Sequence, residues 1–188
     1  MSRNPHPVSL FAFAIMLPLF AGCSMSDANA SSSLTATAEM LDEKGQKIGT
    51  AELRQVGDAV VIDMQVTGLT PGEHALHIHN TGNCHTPGPD GKAFSEAGAH
   101  FNPTAKKHGK DNPGGPHAGD LPNFKANPDG TAKVSVEAKL VTLVEGKPNS
   151  LFPPAGTCLV IHSGPDDYKT DPTGNSGDRV ACGVIKKK

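Results

Sequence analysis

Between residues 34 and 185 apolar positions alternate with polar ones in short runs, the period of half-buried strands rather than of helices. Leu34–Met40 and Gly49–Gln55 predict two strands, with Lys44-Gly45-Gln46 as the turn between them. Ala59–Val66 is the strongest β run, closed by Gly68 and Pro71-Gly72, and a shorter run spans His74–Asn80. Leu121–Ala126 and Thr131–Ala138 read as a hairpin across Asn127-Pro128-Asp129-Gly130, because Asp-Gly suits a tight turn. Thr157–His162 and Arg179–Ile185 complete the set. There is no internal repeat and no convincing amphipathic helix. About eight short strands predict an all-β antiparallel sandwich or barrel. Thr81–Gly119 and Gly164–Asp178 carry almost no periodicity and are rich in Gly, Pro, Asn, Lys and His. Loops of that length in one domain are functional or disordered.

The N-terminus belongs to a different regime. Val8–Phe20 is apolar apart from Ser9 and Pro18, too short to span a bilayer and suited to the apolar region of a signal peptide. It runs into Leu19-Phe20-Ala21-Gly22-Cys23, which resembles the bacterial lipobox, although Leu is commoner where Phe20 stands. The expectation is a lipoprotein signal peptide over 1–22, a lipidated Cys23 and a flexible tether over 23–33, and one domain over 34–188. A plain secretory signal followed by a chance Cys is the alternative. Several acyl chains give stable anchoring. Ser24, rather than Asp, after the Cys favours the outer membrane, facing the periplasm.

Composition narrows the classes. The chain has 188 residues, room for one domain of ordinary size. Charged residues are 19% and the formal net charge is −2, so no basic surface for nucleic acid is present. There is no Trp, Tyr168 is the only Tyr, and Phe11, Phe13 and Phe20 fall in the leader, which leaves too few rings for a base-stacking surface. Besides Cys23 there are Cys84, Cys158 and Cys182; export makes a disulfide expected, and an odd count leaves one thiol over.

The nine His carry the chemistry. In His77-Ile78-His79 two imidazoles share one face of a strand while Leu76 and Ile78 take the other, half of a site for copper or zinc. His100, His108, His117 and Asp120 follow inside the long loop, a donor set that suits tetrahedral zinc and would give an aperiodic loop a source of order. His162 ends a strand with Val160 and Cys158 on its face. On spacing alone, scattered surface histidines are the competing reading.

Taken in order, the motifs are His77-Ile78-His79, Gly98-Ala99-His100-Phe101-Asn102-Pro103, His108-Gly109, His117-Ala118-Gly119-Asp120-Leu121, Leu159-Val160-Ile161-His162, Asp166-Asp167 and Gly174-Asn175-Ser176-Gly177-Asp178-Arg179-Val180-Ala181-Cys182-Gly183. This series resembles the copper/zinc superoxide dismutase family over essentially all of Leu34–Ile185, in its bacterial envelope lipoprotein type. The resemblance implies an eight-stranded antiparallel Greek-key β-barrel, immunoglobulin-like in its sandwich character, with two long functional loops. It implies one copper held by His77, His79, His100 and His162, and one zinc held by His100, His108, His117 and Asp120. It further implies a Cys84–Cys182 disulfide, Asp166 as a carboxylate linking a copper-ligand imidazole to a zinc-ligand one, Arg179 as the cation beside copper, Thr173 at the channel rim, and His100 as the bridging imidazole that takes up a proton. His74 matches a structural position on the core side of its strand, and His85 matches no role and is expected to be exposed. His6 is lost with the leader.

Ala75 departs from a frequent Gly, Cys158 is unusual where it stands and reads as a small apolar filler, and the loop charges Lys169, Asp171 and Asp178 differ from the eukaryotic arrangement. The implied activity is dismutation of superoxide to dioxygen and hydrogen peroxide in the cell envelope. The implied partners are superoxide and a membrane, with no nucleic acid; a homodimer is allowed, though bacterial members differ at the surfaces through which they pair. A barrel that binds metal without activity, and a structural lipoprotein with a zinc-stabilised loop, are the rivals from other classes.

Overall fold

A computed structural model describes Met1 and residues 33–188; the expected leader, Cys23 and most of the tether lie outside the described residues. Ten strands follow in chain order: β1 Thr35–Asp42, β2 Lys47–Val56, β3 Ala59–Val66, β4 Gly72–His74, β5 Leu76–His79, β6 Phe124–Ala126, β7 Ala132–Ala138, β8 Cys158–His162, β9 Arg179–Val184 and β10 Lys186–Lys187. Among the described residues the only helical element is a 3-10 turn, Ser95–Ala97.

The sheet runs β5-β8-β9-β1-β2-β3-β7, all antiparallel, with β10 added to β1 and a separate β4–β6 pair. Ten strands form where about eight were expected because two staves are interrupted. At Ala75, between β4 and β5, the N–H donates to Gly164 O (2.9 Å) and the carbonyl accepts from His162 N (3.0 Å). At Ile185, between β9 and β10, the N–H turns to Thr157 O (3.0 Å) while Lys186 and Lys187 pair with β1. With both interruptions bridged, eight staves surround a single core. The tight Asn127–Thr131 turn, with Gly130 at φ 79°, joins β6 to β7 and brings the β4–β6 pair over the open side of the curled sheet.

Period-two patterning decides which faces are buried. Ala36, Ala38 and Met40 of β1, Leu53 of β2, Ile62 and Met64 of β3, and Val134 of β7 point into one cluster, while their neighbours face solvent. β5 and β8 differ, with every residue buried. Leu76, Ile78, Leu159 and Ile161 fill the main core. The opposite face carries His77, His79, Cys158, Val160 and His162, covered by the long loops.

The longer loop is fastened to the free edge of β5 by backbone bonds. Ile78 N donates to Gly119 O (2.9 Å), Phe101 N to Ile78 O (2.8 Å) and Asn80 N to Ala99 O (2.9 Å). A side chain at Gly119 would collide with the Ile78 carbonyl, so this close approach requires Gly. A Cys84–Cys182 disulfide ties the same loop to β9 across 98 residues of sequence. Beneath it Phe94, Ala97, Cys158, Val160 and Cys182 form a second, smaller apolar cluster. His74 is buried, its Nδ1 2.6 Å from His162 O and its Nε2 2.8 Å from Thr70 O, whereas His85 is exposed.

Candidate metal centre

Strand alternation places His77 and His79 side by side on the outer face of β5. Cross-strand pairing with β8 and the edge contacts of the loop bring His162 and His100 to them: His79 lies opposite His100, and His77 opposite Asp120, through isolated bridges. Two groups result, and both contain His100. The donor atoms of His77, His79, His100 and His162 lie within 4.8 Å of one another, as do those of His100, His108, His117 and Asp120.

Each ring is oriented through one nitrogen, which leaves the other free. His79 Nδ1 donates to Gly98 O (3.0 Å), His162 Nδ1 to Gly177 O (3.1 Å), and His77 Nε2 to Asp166 Oδ2 (2.8 Å). The opposite nitrogens, His79 Nε2, His162 Nε2 and His77 Nδ1, are buried without a hydrogen-bond partner, as are His100 Nε2 and His108 Nδ1. Buried polar atoms almost always find partners. Five exceptions aimed at two points are what a pair of cations would satisfy.

The second group has the dimensions of a tetrahedral site. Asp120 Oδ1 lies 2.9 Å from His100 Nδ1, 3.1 Å from His108 Nδ1 and 3.2 Å from His117 Nδ1, and the Nδ1 atoms of His100 and His117 are 3.5 Å apart. A zinc ion with bonds of about 2.0–2.1 Å spaces its four donors by about 3.3–3.4 Å. The Asp120 carboxylate is aimed by its other oxygen, which accepts the N–H groups of Gly109 (2.8 Å) and His117 (2.9 Å).

Asp166 joins the two groups. Its Oδ2 meets His77 Nε2, and its Oδ1 meets His108 Nε2 at 2.9 Å. Gly174 passes so close to Asp166 Oδ1 that any side chain there would strike it, and φ +67° at Gly174 suits Gly as well.

The electrostatics match a ligand set. Burial pushes the His79 imidazolium well below its usual range, helped by the nearby His100, Arg179 and His162. Burial likewise lowers His100 to about 4, against the pull of Asp120, and His162 to about 3, with His77 adding to it. These rings are neutral at physiological pH, the form that binds metal. Burial alone would lower His108, but the Asp120 carboxylate beside its Nδ1 and the bond of its Nε2 to Asp166 raise it to about 9, so its Nδ1 sits in a field that favours a cation. Burial opposes ionisation of Asp120 and Asp166, yet the imidazoles against them hold both carboxyls below the usual carboxylate range.

Arg179 sits where β9 leaves the second loop, paired in register with His162. Its guanidinium donates to Phe94 O (2.6 Å) and Gly98 O (2.6 Å). With Thr173 it lines a cavity of about 320 Å³ that opens onto His79, His100 and His162. A larger neighbouring cleft of about 490 Å³ shares Arg179 and is lined by Lys92 as well as by Glu43, Asp90 and Asp178, a mixed surround with more acid than base.

The structure brings His77, His79, His100, His108, His117, Asp120, His162 and Asp166 together, sets Arg179 and Thr173 on the adjoining cavity, and holds Cys84 and Cys182 apart from the two groups in the disulfide. Three further residues were not legible in the motifs. Asn123 exchanges bonds with the backbone of Asp166 (2.9 Å in each direction). Tyr168 donates its N–H to Asp166 Oδ1 (2.6 Å), and its hydroxyl accepts the Asn123 N–H (2.7 Å). Asp171, read at first only as a loop charge, accepts the His108 N–H (2.8 Å) and pairs with Lys107 (3.1 Å). The lone Tyr of the chain, two residues from Asp166, was the available signal.

A curled antiparallel barrel that carries two donor sets sharing one imidazole defines a class of dinuclear metalloenzyme. A family model described as copper/zinc superoxide dismutase matches residues 47–185. The chain is 51% identical to superoxide dismutase [Cu-Zn] 1 of Aquifex aeolicus, over 81% of this chain and 88% of that protein, and 41% identical to superoxide dismutase [Cu-Zn] of Caulobacter vibrioides, over 81% and 86%. The solved Cu/Zn superoxide dismutase from Brucella abortus superposes with a TM-score of 0.66 at 30% identity, covering 81% of this chain and 99% of that one. A SOD-like protein from Bacillus subtilis superposes with a TM-score of 0.74 at 35% identity, covering 79% and 96%. The chain belongs to the copper/zinc superoxide dismutase family. It is an oxidoreductase that dismutes superoxide, with copper and zinc as cofactors.

Asp166 aligns one imidazole of each group, so Asp166→Asn is expected to weaken zinc retention by about 10–100-fold. Competition with a chromogenic chelator measures this, and unchanged retention would show that the carboxylate does not orient His108.

Proposed function

We propose that copper is held by His77 Nδ1 and the Nε2 atoms of His79, His100 and His162, and zinc by His100 Nδ1, His108, His117 and Asp120. One observation carries the assignment: the buried nitrogens without partners sort into two groups, and His100 presents one nitrogen to each. Copper supplies the one-electron cycle that both halves of dismutation need, and zinc supplies charge without redox chemistry.

The remaining work falls to the chain. His100 is the proton carrier: its Nε2 delivers one of the two protons that peroxide formation consumes, while Nδ1 stays beside Asp120 and keeps the ring in place. Asp166 fixes the tautomers of His77 and His108 together. Arg179 docks the anion with its remaining donors, Thr173 forms the rim, and the cover of both loops limits water around the donors.

The same reading places the enzyme in the cell envelope, anchored through lipidated Cys23 after loss of 1–22 and facing the periplasm from the outer membrane, where it removes superoxide arising outside the cytoplasm. The fold suits such an anchor. The tether enters at Thr35, beside Lys187, whereas the far end of β1 at Asp42 pairs with Ala181, two residues from Arg179. At about 3.3 Å per residue, β1 separates the two by roughly 25 Å. Thr35, where the domain begins, and the Arg179 region therefore lie at opposite ends of β1. A second copy of the chain is compatible with this arrangement.

Three outcomes test these assignments. Metal analysis of purified protein should find one copper and one zinc per chain; His162→Ala should lose copper and keep zinc, and His117→Ala the reverse. A zinc-only protein that stays inactive after copper loading overturns the assignment. Arg179→Glu should lower kcat/KM by about tenfold or more at low ionic strength with both metals retained, since local positive potential raises anion on-rates by roughly 10- to 1000-fold. Arg179→Lys, which keeps charge but loses the planar fork, should lose less; full activity in Arg179→Glu would remove the residue from docking. Finally, Cys23→Ser should move the protein out of the membrane fraction, and unchanged partitioning would point to another anchor.

A further inference from the structure

Among the described residues Cys158 is the one cysteine outside the disulfide, and the catalytic reading does not use it. It is fully buried. Its Sγ and those of Cys84 and Cys182 all lie within 4.8 Å of one another. The strand register explains the grouping. Cys158 and Cys182 are diagonal neighbours across β8–β9, through the pairs Cys158–Val184 and Val160–Cys182, and the long loop brings Cys84 onto the same face. The register also places Cys158 directly opposite His79 across β5–β8. Directly opposed side chains share a face, with Cβ atoms about 4.5–5.5 Å apart. The three sulfurs therefore border the copper group.

Before the disulfide closes, these are three thiols in a small pocket walled by Phe94, Ala97 and Val160. Soft thiolates favour Cu(I) and zinc over hard cations, and a set of only three sulfurs leaves zinc short of its usual four ligands. With metal–sulfur bonds of about 2.3 Å, a trigonal ion spaces its three sulfurs by about 4 Å, within the limit the structure sets. Cys84, the half-buried member, opens the pocket to the outside. Burial pushes the Cys158 thiol up to about 12 against the pull of the Arg179 guanidinium, so its proton leaves only as the ion binds.

We propose that Cys84, Cys158 and Cys182, in their reduced form, make a Cu(I)-acceptor site next to His79, from which the copper site is filled. The proposal rests on the copper-ligand assignment above for its destination, while the sulfur site itself can be measured without it. Thiol–disulfide exchange with an external disulfide oxidant, which takes up the two electrons and two protons, closes Cys84–Cys182 and removes two of the three sulfurs from the ligand set, so capture belongs to the dithiol state and the finished enzyme does not retain the ion there. Cys158 gives the site its third ligand and its contact with His79.

The test uses the full chain carrying Cys23→Ser, which removes the one other thiol, stripped of metals, reduced, and given one equivalent of Cu(I) without oxygen. X-ray absorption should find three sulfur neighbours around copper, two after the further change Cys158→Ala, and none once the disulfide is closed. Bicinchoninate should withdraw copper from the Cys158→Ala chain at a concentration at least tenfold lower. Cys158→Ser, closer in size, should behave as Cys158→Ala does, and circular dichroism matching the parent protein ties the loss to the missing ligand. A nitrogen-only shell in the reduced chain, or an equal sulfur number and equal chelator competition with and without Cys158, overturns the proposal. Loss of dismutase activity in the metal-loaded enzyme would instead count against the ligand assignment and leave the sulfur shell to be read separately.

Discussion

Five imidazole nitrogens buried without partners set the terms for the rest of this molecule. Each such atom costs about 1–3 kcal/mol when it is cut off from water. Five together approach the whole net stability of an ordinary domain. A fold that gathers them in one patch is therefore specified for cations, and its loops are shaped around them. The neutral state of His79, His100 and His162 follows from the same burial: the desolvation that makes a lone pair expensive also keeps the proton off it. One physical term prepares both the ligands and the demand for metal.

The long loop needs this. It has one short 3-10 turn and no ladder of its own among the described residues. Its order comes from three fastenings of different kinds: backbone bonds to the edge of β5, the Cys84–Cys182 bridge to β9, and the convergence of His100, His108, His117 and Asp120 on a common point. The second loop is fastened to the first through side chains, by Asp166 on His108, Asp171 on the His108 N–H and Tyr168 on Asn123. Positive φ at Gly109 lets the first loop pass the Tyr168 backbone of the second where a side chain would collide with it. Removal of one fastening leaves the others strained to hold a segment that has no preference for any regular structure.

What the sequence made legible divides along the range of the interactions. Alternation identified β1, β2, β3, β7, β8 and β9 to within a few residues, and it placed His77 and His79 on the face opposite Leu76 and Ile78, because a period of two is a local property. His74 was read as a core histidine, and it is one. The interruption at Ala75 was not legible, since it depends on a carbonyl at Gly164 and an N–H at His162 that lie about ninety residues away. Asn123, Tyr168 and Asp171 were missed for the same reason: each acts on a ligand through tertiary contact, and none carries a motif. The ligand assignments came from family resemblance and not from spacing. Spacing alone left three imidazoles and a carboxylate in a loop, without saying that His100 would face both groups.

The acidic balance of the chain leaves substrate attraction to a local device, and the way Arg179 is held determines what that device can do. Two of its donors are already committed to Phe94 O and Gly98 O, so the guanidinium is a fixed charge rather than a mobile one. Fixing it lowers the conformational entropy that docking an anion would otherwise cost. The Gly98 carbonyl also accepts the Nδ1–H of His79. A single oxygen thus holds both the guanidinium at the mouth of the cavity and a ring whose other nitrogen faces the group of His77, His100 and His162. The Cys84–Cys182 bridge holds the loop carrying Gly98 against the strand carrying Arg179, so one covalent tie fixes both partners of that bond. The fastening of the loop and the geometry of the donor group meet at one backbone carbonyl, through bonds of 2.6 Å to Arg179 and 3.0 Å to His79.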